Sequence, residues 1–251
     1  MDLLVQYSEL HDWTVKSICG HIRFMRTKRQ VVAQKPLTPR GAATRARIVE
    51  AAAQLVGDRG VAGTSLDDIM AASQTSKSQL YHYFADKDAL VCAVVEAQAG
   101  KVIGFQESCL KNVRSLADLR KWRDAVVKLN RARRGVGGCP IGSLASELSD
   151  RSEAARALLA DSFQTWESHL VAAFQAIIAK GELRASTDPN NLATAVMGAL
   201  QGGLLLAQTT RSTEPLELSL DMALDHVARY AAVRHPRQGR LRSFAKTAYP
   251  H

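Results

Sequence analysis

Residues 64–84, TSLDDIMAASQTSKSQLYHYF, constrain the fold more than any other stretch, because they spell two helices too short to persist alone in water. Ser65 can cap the first, with Asp68 three residues on as its reciprocal partner, and Leu66, Ile69 and Met70 fall on one face. Ser76 can cap the second. There Leu80, Tyr83 and Phe84 supply a buried stripe, while Lys77, Ser78, Gln79 and His82 point elsewhere. These outward side chains are donors suited to phosphates and base edges.

Helices of this length need a neighbour, and one precedes them. Residues 40–58 place Ile48, Ala51, Ala52, Leu55 and Val56 at i, i+3, i+4, i+7 and i+8, and Arg59-Gly60 supplies a stop. Three helices with a protruding polar third make a helix-turn-helix DNA reader, whose last helix enters the major groove. Lys77, Ser78 and Gln79 lie in the first turn of that helix, the part that reaches bases. Gln suits adenine and Lys suits guanine. Thr64 and Ser65 open the preceding helix, where N–H groups and a hydroxyl suit a phosphate as well as a cap. Arg40, Arg45 and Arg47 lie near the start of the first helix, either as phosphate contacts or as solvated surface.

The segment RARIVEAAAQLVGDRGVAGTSLDDIMAAS, followed by SKSQLYHYFADKDAL, resembles the N-terminal domain of the TetR family of bacterial transcriptional repressors over about residues 40–95. The resemblance implies an all-α protein: a three-helix DNA-binding domain followed by a larger helical domain for ligand binding and dimerisation. It also implies that Arg45 or a neighbouring arginine reaches the phosphate backbone. Tyr81, His82 and Tyr83 match an aromatic cluster that contacts phosphates or packs the helix, and Lys87 matches a lysine used on phosphate. One departure stands out. The family usually has glycine in the turn, where this chain has Ser73-Gln74-Thr75. A left-handed non-glycine residue costs about 1–2 kcal/mol, so either the turn differs or the domain tolerates the strain.

The net charge of +9 is concentrated at the ends: residues 1–48 carry nine Lys and Arg against three acids, and residues 234–251 carry five against none. Basic arms flanking a DNA reader add salt-dependent phosphate contacts, and solubilising tails read the same way. Residues 1–38 are read as a basic N-terminal extension. Met25 is one possible initiator; the other reading is a genuine extension in which Leu3, Leu4, Leu10 and Trp13 pack as an amphipathic piece. No run of 18 apolar residues and no leader-like N-terminus is seen, so no membrane span and a cytoplasmic, nucleoid-associated location are expected. Cys19, Cys92, Cys109 and Cys139 have no metal-ligand spacing, and no metal or cofactor is expected.

Beyond the DNA reader, Asp86 caps a long helix to about residue 110, a mechanical link from the reader into the rest of the chain. Helices follow at 115–134, 152–181, 188–210 and 214–233, with a glycine-rich break at 134–138. The domains are read as 39–95 for DNA binding, 96–233 for ligand binding and dimerisation, and 234–251 as a basic tail. The run Gly138-Cys139-Pro140-Ile141-Gly142-Ser143-Leu144-Ala145 resembles the C-terminal domain of a subgroup of TetR-type repressors of multidrug-export genes. Cys139 opens a helix there, either as a dipole-activated thiol or as a small buried residue. The ligand pocket is expected between the 86–110 helix and those at 115–134 and 152–181, lined by Trp122, Phe163, Trp166, Met197 and Gln201, for each of which plain core is the other reading. The last two helices, rich in small and apolar residues, are the expected interface of a two-fold dimer.

These readings converge on a dimeric repressor of a palindromic operator, released by a small hydrophobic effector. Redox control through Cys139 without an inducer is one alternative, and a non-specific DNA-coating protein driven by the basic ends is another. An enzyme is not expected, since no H-E-x-x-H, G-x-S-x-G, P-loop or dinucleotide fingerprint occurs, and His82, His169 and His226 have no paired nucleophile.

Overall fold

Polar side chains that satisfy the first N–H groups of a helix open six of the nine helices among the described residues. The computed structural model describes residues 37–232. The basic arm before residue 37, with Met25, Cys19 and the amphipathic piece around Trp13, and the basic tail at 234–251 lie outside them. The DNA-reading end comprises α1 (Pro39–Arg59), α2 (Leu66–Ser73) and α3 (Lys77–Tyr83). The helices α4 (Lys87–Leu110), α5 (Leu116–Ala132), α6 (Pro140–Leu148), α7 (Glu153–Ala179), α8 (Pro189–Thr210) and α9 (Glu214–Ala228) follow. Side chains of Ser65, Ser76, Asp86, Ser115, Ser152 and Asp188 accept backbone N–H bonds at the starts of α2, α3, α4, α5, α7 and α8. The sole β feature among the described residues is an antiparallel bridge between Leu183 and Ala231. That bridge ends the last helix at Ala228 rather than near 233, because Arg184 N–H donates to Tyr230 and Ala232 N–H to Glu182.

Two apolar cores result, and α4 belongs to both. Ile48, Ala52, Ile69, Leu80 and Phe84 close the smaller core beneath the DNA reader together with Leu90, Ala93 and Val94 of α4. Val91, Val95 and Ala99 of the same helix enter the larger core with Trp122, Trp166, Leu170, Phe174 and Leu200. A helix apolar on opposite faces must be covered on both, so the 95/96 division falls inside a continuous element.

In the larger core α8 packs along α7 and α9. A Cβ built on Gly203 would lie 2.9 Å from Leu216 Cα, so only glycine permits this approach of α8 to α9. By length and composition alone α8 is long and apolar enough to cross a membrane, since its Asn, Thr, Gln and Gly residues interrupt any strict apolar run without lowering the average much. Here Leu192, Val196, Leu200 and Ala207 of this helix are core residues. Its outer face, with that of α9, leaves Leu205, Leu206, Leu218 and Met222 between 51% and 68% exposed.

Candidate functional site

The first turn of α3 is presented outward by what holds the rest of that helix. Leu80 and Phe84 are buried in the smaller core, which leaves Lys77, Ser78 and Gln79 exposed. Ser76 and Gln79 form a reciprocal cap: Gln79 N–H donates to Ser76 Oγ at 3.2 Å, and Ser76 N–H donates to Gln79 Oε1 at 3.0 Å. The carboxamide oxygen of Gln79 is thus engaged in the cap. The turn before it keeps left-handed geometry without glycine, since Gln74 has φ 52° and ψ 45°. Around it Ser73 Oγ donates to Ile69 O at 2.6 Å and lies 2.7 Å from Thr75 Oγ1, and Thr75 N–H donates to Met70 O. The strained option is the one adopted.

Arginines of α1 brace this unit. Arg47 Nε donates to Ser73 O at 2.9 Å, tying α1 to the end of α2, and the Arg45 guanidinium sits 5.2 Å from the centre of the Phe84 ring. Tyr81 is 46% exposed and His82 is exposed; Tyr83 is half-buried against the smaller core, its ring edge-on to His82 at 4.9 Å. Two expected phosphate ligands have protein partners instead. Thr64 is buried and its hydroxyl donates to Gly60 O, while Lys87 Nζ donates to Val61 O at 2.8 Å and Thr64 O at 2.7 Å. Loop 60–65 has more carbonyls turned inward than its own helices satisfy, and these two side chains meet them. Ser65 is exposed and shares its hydroxyl with Asp68 Oδ2 at 2.6 Å.

The same loop is held from the other side by a residue that sequence reasoning passed over. Glu147, in the last turn of α6, accepts from Val61 N–H at 2.9 Å and Ala62 N–H at 2.8 Å. Its carboxylate also fills the space beside Gly60, whose φ of +74° turns the chain there. Nothing local marks Glu147, because its partners lie about 85 residues earlier.

A cavity of about 160 Å³ lies among α4, α5, α7, α8 and the start of α6. Val102, Phe105, Val126, Leu129 and Leu204 give it apolar walls, and Gln98, Gln106, Asn130 and Arg133 give it polar groups. Of the five expected lining residues, only Trp166 lines it. Trp122 is 1% exposed and turned into the core, where its indole N–H donates to Gln106 Oε1 at 2.8 Å. Phe163 stacks on Trp166 at 6.4 Å, and Met197 and Gln201 pair with each other at 3.8 Å. None of these four borders the cavity; helical period identified the inward faces but not which residue borders empty space. Cys139 does line the cavity and accepts Gly142 N–H through Sγ at 3.4 Å. Burial pushes its thiol above the ordinary value, outweighing the hydrogen bonds from Gly142, Gln201 and Ile141. Gln98, Arg133, Val136 and Pro140 also border the groove against α1 that contains Glu147, so the cavity and the groove at the DNA-reading end share a wall.

Residues 48–94 match a family profile described as bacterial regulatory proteins, tetR family, and residues 115–223 match one described as Tetracyclin repressor-like, C-terminal domain. An uncharacterized HTH-type transcriptional regulator from Mycobacterium tuberculosis is 30% identical over 184 residues, 69% of this chain and 89% of its own length. The chain belongs to the TetR family of bacterial transcriptional regulators. Relatives of this TetR-family regulator include the transcriptional regulator AcuR of Cereibacter sphaeroides, 29% identical over 74% of this chain and 88% of that one. The HTH-type transcriptional repressor DhaR of a Mycobacterium species is 28% identical over 72% and 90%. Among solved structures, a TetR transcriptional regulator from Chloroflexus aurantiacus superposes with a TM-score of 0.67 at 26% identity, covering 77% of this chain and 98% of that one. A TetR-family regulator from Cytophaga hutchinsonii shares the fold with a TM-score of 0.70 over 80% and 100%. This TetR-family regulator is therefore a DNA-binding protein of the helix-turn-helix type and not an enzyme.

Proposed function

We propose that the protein is a dimeric repressor that reads a palindromic operator through the first turn of α3 and is released when a small, largely apolar effector fills the cavity among α4–α8. The observation that carries this reading is the reach of α6: its N-cap Cys139 and first residue Pro140 border the cavity, and its last turn holds loop 60–65 through Glu147. An effector that binds better to one position of α6 shifts the population of DNA-reading geometries. In a dimer the relevant quantity is the separation of the two α3 helices, which must match successive major grooves about 34–36 Å apart. The exposed Leu205, Leu206, Leu218 and Met222 support α8 and α9 as the surface that pairs the subunits. Lys77, Ser78 and Gln79 are the base-reading side chains; Arg45, Ser65, Tyr81, His82 and Tyr83 flank them at phosphate level, on DNA in the cytoplasm. The run at 138–145 favours effectors of the kind met by repressors of drug-export genes.

The test is selection from a random DNA library at fixed salt, using the full chain, a chain lacking residues 1–38 and 234–251, and Gln79→Ala. Recovery of one palindromic site, kept by the truncated chain and weakened by Gln79→Ala, is the expected result. Binding that follows salt alone and vanishes with the basic ends would replace the repressor reading with non-specific DNA coating.

A further inference from the structure

Two buried polar atoms with opposite needs belong to residues that line the cavity. Trp166 is 1% exposed and its Nε1–H donor has no partner; Asn130 is 5% exposed and its Oδ1 acceptor has none. Folded proteins pair nearly all such groups, so an unmet donor and an unmet acceptor on two residues that line one cavity point to a ligand that supplies the bonds. Size narrows the choice. A volume of about 160 Å³ is close to the roughly 150 Å³ of a cavity that takes up benzene, which is room for a single ring. Charge narrows it again. No carboxylate lines the cavity, whereas Lys101 and Arg133 do, so a cation is disfavoured. Lys101 is already paired with Glu50 at 2.7 Å. A carboxylate ligand would offer only acceptors and set its charge against Asn130 Oδ1.

An uncharged hydroxyl carries both functions, an oxygen that can accept from an N–H such as that of Trp166 and a hydrogen that can be donated to an acceptor such as Asn130 Oδ1. We infer that the effector is a neutral, benzene-sized hydroxy compound, a phenol or a small alcohol of similar volume, whose ring or chain lies against Val102 and Phe105. This rests on the proposal that the cavity is the effector site.

The experiment titrates the full-length protein by calorimetry with phenol, benzene and benzoate, and repeats it on Trp166→Phe, Asn130→Leu and the double variant. Phenol is expected to bind about tenfold more tightly than benzene; each single substitution cuts that ratio about threefold, and the pair brings it near one. Benzene affinity reports whether each variant keeps its cavity, and should a variant not fold, the phenol-to-benzene ratio of the parent still decides. Equal binding of phenol and benzene, tighter binding of benzoate, or no binding because the cavity holds water would each overturn the inference. Operator release is followed in the same samples. Phenol bound in the expected pattern without release would defeat the effector reading and leave the ligand class standing, whereas specific operator binding with no phenol uptake would do the reverse.

Discussion

Gln74 occupies the left-handed position between α2 and α3 with its side chain exposed, so it contributes strain and no packing. Replacing it by glycine removes a Cβ penalty of about 1–2 kcal/mol, partly offset by the greater freedom of glycine in the unfolded chain. Gln74→Gly should therefore stabilise the protein by about 1 kcal/mol, and Gln74→Val should destabilise it by a similar amount; urea unfolding of the two variants is the check. At Cys139 burial dominates and holds the thiol neutral at neutral pH. Reaction of the native protein with a disulfide reagent at pH 7 should give the same fast phase in the parent and in Cys139→Ser. Loss of a fast thiol in the variant would revive redox control.

At the scale of elements, α6 is short and tethered at both ends, which suits it to carry a displacement. Glu147→Ala leaves two N–H groups of loop 60–65 without their carboxylate, at a cost of about 1 kcal/mol given that Ala62 is exposed. The expected outcome is a slightly lower unfolding midpoint together with operator binding that no longer responds to an effector, measured by fluorescence anisotropy of labelled operator. Retained response would move the coupling to α4 alone. What was legible in the sequence at this scale was local. Ser65 with Asp68 and Ser76 with Gln79 lie three residues apart and declare their caps, and the bounds of α1 and α4 follow from Gly60 and Asp86. Glu147 and Asn130 were not legible. Each reads as an ordinary polar residue on an amphipathic helix, and each takes its meaning from groups brought near by tertiary packing. Lys87 shows the same limit: its position matched a phosphate ligand, but loop 60–65 turns two carbonyls toward it.

For the whole molecule, the outer faces of α8 and α9 gather most of the exposed large apolar side chains among the described residues, with Leu218 62% and Met222 68% exposed. Leu218→Glu combined with Met222→Glu places charges on both copies of a self-complementary surface, where they face one another. Sedimentation should show the parent as a dimer and the double variant as a monomer, with operator affinity falling at least about a hundredfold because two half-sites are no longer bound together. A dimer that survives the change would place the interface elsewhere. Composition made α8 apolar and Gly203 marked its close approach to α9, yet the sequence alone could not say which face stays outside, since a helix apolar nearly all round has no period to read. The double allegiance of α4 bears on anyone building biosensors from this scaffold. Leu90 and Val94 serve one core and Val91 and Val95 the other, so no splice point within 90–95 separates a borrowed DNA reader from a retained sensor. Chimeras will have to inherit the helix whole and redesign one of its sides.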